Sequence, residues 1–174
     1  MPRNAVGLPL LLAAVSVAAT AAQFRSFDLA EQVEGSDLIV VGTVGAVSAS
    51  WSADGSALFT DSVVALDEVW KGGPPGDRIT VRTPGGEADG LAFEVDGAAT
   101  LTPGERVVLF LRERDGVFTP WGMRYGKYRV EDAGASGYVI GPLPPAVAGS
   151  AAHEVVSMTL EELRESVRRL AERR

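Results

Sequence analysis

Apolar residues recur along this chain mostly with the period of strands, and the densest run comes early. Leu38, Ile39, Val40 and Val41 are apolar on both alternating faces, which predicts a central strand from Leu38 to Val47 covered on two sides. Gly42 and Gly45 fall where such a strand bends or lets another backbone approach. Leu58 to Trp70 is too long for one flat strand, and its pattern changes phase: Phe59, Val63 and Ala65 share one parity, Val64 and Leu66 the other. A bulge or corner between Leu66 and Glu68 reconciles them. Ile79 and Val81 alternate with Arg78, Thr80 and Arg82. Leu91, Phe93 and Val95 alternate in the same way with Ala92, Glu94 and Asp96, so both stretches read as strands with one wet face. Val107 to Leu111 forms a second dense run inside Arg106 to Arg112, a second central strand. Val117 to Trp121, Lys127 to Glu131 and Tyr138 to Ile140 supply shorter strands.

Turn residues punctuate these runs: Asp54-Gly55 within Ser50 to Ala57, Lys71 to Gly76 with two prolines, Thr83 to Gly86, Pro103-Gly104 and Asp115-Gly116. No helical crossover separates the strands, so the pattern predicts a mainly β domain, a closed or nearly closed antiparallel barrel, over residues 23–141. Helical periodicity appears only at its flanks. Ser26 is placed to cap a short helix from Phe27 to Glu34, with Leu29 and Val33 on one face and Gly35 as its end. Residues 142–156 are rich in proline and alanine and read as a linker. Over 157–174, Thr159 and Glu162 fit a capping box ahead of an amphipathic stripe of Leu160, Leu163, Val167 and Leu170, a helix packed on the barrel. Its glutamates lie early and its arginines late, as the helix dipole favours.

Composition adds a compartment. The first 22 residues combine Arg3, an apolar run from Ala5 to Ala19 and small residues up to Ala22, the pattern of a signal peptide cleaved after Ala21 or Ala22. The expectation is an extracytoplasmic protein, secreted or periplasmic, with no membrane span after cleavage. The 174 residues include 46% hydrophobic and 22% charged positions, enough for one ordinary core without crosslinks. There is no cysteine, which removes disulfides, a thiol nucleophile and thiolate metal ligands. A net charge of −7, without a basic stripe ahead of the last helix, disfavours nucleic acid as a partner.

Candidate chemistry is sparse. The lone histidine, His153, has no visible triad around it. Asp61, Asp67 and Glu68 read as exposed strand carboxylates, Asp54-Gly55 lacks the alternating acids of a calcium loop, and the Gly72-Gly73 and Gly85-Gly86 pairs lack the strand-to-helix setting of a phosphate loop. No catalytic residue, metal or cofactor is assigned. The candidates for ligand or partner binding are Trp51 in the first loop, Arg82, Glu87, and Trp121, Arg124 and Tyr125 of the Trp121-Gly122-Met123-Arg124-Tyr125 segment, because aromatics beside arginine anchor interfaces. Trp70 reads as core. The resulting expectation is an exported non-catalytic binding module whose partner is another exported protein or an envelope glycan. The alternatives are a structural envelope component or a modulator of an exported protease.

Three stretches carry a family likeness: Ser36 to Val44, Val69-Trp70-Lys71-Gly72, and Ile79 to Thr83. They resemble the opening strands of netrin-like modules, among them the tissue inhibitors of metalloproteinases, and Pro103 to Leu111 is similar to a later core strand of that family. The Gly85-Gly86-Glu87 turn resembles a bacterial, cysteine-free form of the module. The resemblance implies an oligonucleotide/oligosaccharide-binding (OB-like) barrel of five strands, or slightly more, between a short N-terminal helix and a C-terminal amphipathic one. It does not carry the inhibitors' mechanism over, since that needs an amino-terminal cysteine on the target's zinc.

Overall fold

The computed structural model describes residues 28–133, 136–141 and 156–173. The leader, Ser26, His153 and nearly all of the expected linker lie outside the described residues. The chain is mainly β. A helix, α1 (Leu29–Gly35), leads into the long strands β1 (Leu38–Trp51) and β2 (Leu58–Lys71), followed by β3 (Arg78–Pro84) and a small hairpin of β4 (Gly86–Ala88) and β5 (Leu91–Phe93). Next come β6 (Arg106–Arg114), β7 (Val117–Pro120), a 3-10 turn (Met123–Gly126), β8 (Lys127–Ala133), β9 (Ser136–Gly141), β10 (Val156–Thr159) and the helix α2 (Leu160–Ala171). Eight strands form one sheet in the order β1-β2-β3-β7-β6-β8-β9-β10, with β1 also paired to β6; β4 and β5 form a separate two-stranded sheet.

β1 and β6 sit at the centre because each is apolar on both faces. They run antiparallel with Val40 opposite Leu109. Leu38, Val40 and Val44 of β1 and Val107, Leu109 and Leu111 of β6 enter one core with Val64, Ile79, Val81, Leu101 and Phe118. The alternate residues Ile39, Val41, Val108 and Phe110 enter a second core, closed by Val33 of α1 and by Leu160, Leu163 and Val167 of α2. Full burial of each such side chain stabilises the fold by about 1.5–3 kcal/mol relative to exposure. Gly42 lies where β1 crosses β2 closely: a Cβ there would stand 2.4 Å from the Ala65 carbonyl oxygen.

The phase change of β2 is a bulge where the sequence places it. Val41 pairs with Glu68 and Gly42 with Leu66, so Asp67 is looped out. That bulged end receives α2. Arg164 of α2 donates from Nη2 to both Glu68 carboxylate oxygens at 2.6 Å, and the Trp70 indole donates to Glu68 Oε2 at 3.0 Å. Thr159 and Glu162 make the capping box reciprocally.

Several boundaries differ from the expectation. Asp28 caps α1, accepting from the Glu31 amide at 2.7 Å, and a carboxylate beside the first turn also gains from the helix dipole. The far end of α1 is satisfied by Lys71, whose Nζ donates to the carbonyls of Val33 and Ser36 at 2.7 and 2.6 Å. Trp51 is the last residue of β1, opposite Leu58, and not part of the loop. The loop is short because Asp54 Oδ1 accepts from the Ser52 hydroxyl and from the amide and hydroxyl of Ser56; the Ser52 bond leads in lowering that carboxyl to about 2. Val156 to Thr159 is a strand on the edge of β9, so the sheet continues past residue 141 and the helix starts at Leu160. That return covers backbone groups that would otherwise form an open edge. One pair is parallel, β3 with β7, and it consists of Val81 opposite Phe118 alone. The largest departure is β5: Leu91 and Phe93 are 59% and 61% exposed, and Val95 lies outside the strand.

Candidate functional site

Beyond the single Val81–Phe118 pair, β3 and β7 separate. Each keeps its partner on the far side, β2 for β3 and β6 for β7, but they no longer bond to each other. The gap holds a cavity of about 240 Å³ lined by Phe59, Arg82, Pro84, Thr119, Pro120 and Met123, together with the buried Thr83 and Ala99. Its walls are largely apolar. The charge is fixed at one side: Arg82 grips Asp61 with two parallel hydrogen bonds, Nε to Oδ1 at 2.8 Å and Nη2 to Oδ2 at 2.7 Å, and its guanidinium stands 5.5 Å from the Phe59 ring centre. Those bonds to Asp61 outweigh desolvation and raise the guanidinium's pKa further. Such a fork is rigid and planar, so Arg82 presents a fixed edge to anything that enters.

Met123 brings strained backbone to the lining. Gly122 and Met123 take φ values of 70° and 63°, and the second is unusual for a side-chain-bearing residue. This conformation turns the chain sharply after β7 and leaves Met123 39% exposed at the cavity rim.

The β4–β5 hairpin rises from the same place. Pro84 and Ala99, on either side of the segment that contains it, both line the cavity. The two turn residues, Asp89 and Gly90, take φ values of 54° and 75°, the left-handed pair that joins strands by the tightest reverse turn. Gly85, with φ at 90°, anchors the root: its amide donates to the Leu58 carbonyl at 2.8 Å, its carbonyl accepts from the Thr60 hydroxyl at 2.7 Å, and a Cβ there would meet the Phe93 carbonyl oxygen at 2.6 Å. The return limb is tied by the Arg124 amide, which donates to the Gly97 carbonyl at 2.9 Å.

Of the sequence-selected residues, Arg82 lines the cavity and Glu87 lies on β4 opposite Ala92. Arg124 is adjacent, 3.9 Å from Asp96 and over the Tyr125 ring at 6.0 Å. Trp51 stands at the end of the β1–β2 hairpin and does not line the cavity. Trp121 turns away to α1, where it fills the space beside Gly35, with the Arg112 guanidinium 5.9 Å from its ring centre. Sequence reading missed Phe59, Leu91 and Phe93 as site residues, and reached Met123 only as part of the Trp121–Tyr125 segment. Asp89-Gly90 between alternating apolar positions was the signal that a hairpin, not a sheet strand, lay there. The three strand carboxylates each have a cation: Asp61 has Arg82, Asp67 has Arg106 at 3.3 Å and Glu68 has Arg164. Among the described residues no group of three or more His, Asp or Glu side chains gathers as a metal would require, and no helix is long and apolar enough to cross a membrane. No protein-family model matches the chain, and no curated protein matches it.

Proposed function

We propose that this chain is an exported, non-catalytic binding module whose OB-like barrel receives another exported protein at the open end of the β3–β7 seam. What supports the barrel is the order of pairings, which leads from β1 through β2, β3, β7 and β6 back to β1. A circuit of five strands cannot be antiparallel throughout, and β3 with β7 supplies the parallel pair it needs. The likeness to netrin-like modules is consistent with that reading, and export rests on the leader. The observation that carries the binding role is the cavity itself: a small, mostly apolar recess with one preorganised arginine, in the size range of a single large side chain. Non-catalysis rests on chemistry, because the carboxylates of β2 are each paired with an arginine, which holds them as charged structural partners. A protein is favoured over a glycan because five of the eight lining residues are proline, phenylalanine, methionine or alanine, and the one charged group, Arg82, is already engaged by Asp61.

The test is site-specific photocrosslinking in the cell that makes the protein. Benzoylphenylalanine at Thr119 or Met123 is expected to capture one protein of defined mass, while the same probe at Arg168 on α2 is not. Equal capture from both positions, or none from the cavity, overturns the proposal.

A further inference from the structure

We infer that the β4–β5 hairpin is a docking arm for a cationic polypeptide segment that carries apolar side chains; this deepens, and rests on, the binding role of the adjoining cavity. Leu91 and Phe93 share one face of β5, whereas Ala92 and its cross-strand neighbour Glu87 share the other. The first face is apolar and exposed. Among the described residues β5 pairs with β4 alone, so its outer edge presents unpaired backbone groups. Exposed edges are ordinarily protected by lysine, proline or a covering element, and Leu91-Ala92-Phe93 has neither residue. An extended segment adding to this edge would gain main-chain hydrogen bonds and place alternate side chains against Leu91 and Phe93.

Charge selects the partner. From Thr83 to Glu105 there is no lysine or arginine, and Glu87, Asp89 and Glu94 make no ion pair among the described residues. Self-pairing of two β5 edges would bring both sets of carboxylates together, which disfavours a second copy as occupant. A segment with lysine or arginine between apolar residues meets both features at once. Because Pro84 and Ala99 lie at the roots of the arm and also line the cavity, one bound segment can follow β5 and seat an apolar side chain in the recess.

The probe is a short fluorescent peptide alternating lysine and leucine, compared with its glutamate–leucine and lysine–serine counterparts by fluorescence anisotropy on the full chain. The lysine–leucine peptide should bind in preference to both. The double variant Leu91→Ser/Phe93→Ser should weaken it by about tenfold or more, as loss of interface anchors does. Glu87→Gln/Asp89→Asn/Glu94→Gln should also weaken it and remove most of its salt dependence. All of these residues are exposed, and matched melting curves confirm that each variant folds. Equal binding of the lysine and glutamate peptides, or full binding by the hairpin variants, overturns the inference. Retention by the hairpin variants with loss in Met123→Lys would refute the arm and leave the cavity role standing; indifference to both sets would refute the two together. Concentration-dependent self-association that disappears in Leu91→Ser/Phe93→Ser would replace the cationic partner with a second copy and so overturn the inference as well.

Discussion

β3 and β5 carry the same alternating pattern and meet opposite fates. Ile79 and Val81 are 3% and 0% exposed, while Leu91 and Phe93 are 59% and 61% exposed. Both are short strands with every second residue apolar. The difference is what lies against them: β3 is paired along its length to β2 and faces the core of β1 and β6, whereas β5 belongs to a two-stranded ribbon with no core beneath its apolar face among the described residues. Such ribbons have little stability of their own. This one is held at its roots, by Gly85 on β2 and by Gly97 on the turn after β7. An alternation that is buried serves the fold, and an alternation that the fold leaves bare is available to a partner.

The contrast is sharpest at the central strands. Val40→Asp or Leu109→Asp places a carboxylate where exposure is zero, and each should prevent folding through a cost of several kcal/mol; thermal unfolding should lose its cooperative transition. Leu91→Asp, the same change on β5, should leave the transition in place. A smaller effect is expected at the helix that closes the second core. Arg164→Ala removes charge-assisted hydrogen bonds to Glu68 and should lower stability at neutral pH by about 2 kcal/mol in denaturant titration. Burial pushes the Glu68 carboxyl up, but hydrogen bonds from Trp70 and Arg164, with the charges of Arg164 and Arg106, outweigh it and leave it below its usual value of 4.5. A lowered folded value means the stabilisation is present above pH 4.5 and is lost as the pH falls through the folded value, so Arg164→Ala should flatten the acid limb of the stability profile.

Ser62 tests the quality of the first core. It is fully buried and its hydroxyl has no hydrogen-bond partner among the described residues. Ser62→Ala should therefore be neutral or stabilising, within about 1 kcal/mol, where a bonded hydroxyl would make it destabilising. The smallest effect belongs to the arm. Leu91→Ser/Phe93→Ser should change unfolding stability by no more than about 0.5 kcal/mol, since neither side chain is buried.

The sequence made the central strands legible because four successive apolar residues at Leu38 to Val41, and five at Val107 to Leu111, admit no single-faced strand. The Asp67 bulge could be read from a change of phase, and the capping box of α2 from Thr159 and Glu162. β5 was not legible as an exposed arm, since alternation reports which residues share a face and not what that face meets. β10 was missed because four residues between a proline-rich stretch and a helix carry too little pattern to mark a strand. The cavity was visible only in part. Arg82 stood out as a charged residue on a clean strand, but Phe59 and Met123 reach it only through the parting of β3 and β7, a consequence of one parallel pair that no local pattern encodes.

The central claim is that the cavity and the arm form one binding surface. Amide chemical-shift mapping of the isotopically labelled protein, titrated with the lysine–leucine peptide, tests it most directly. The predicted result is a continuous set of perturbed amides over residues 82–97 and 119–124, with α2 and the β8–β9 pair unchanged. Perturbations centred on α2, or none at saturating peptide, would contradict it.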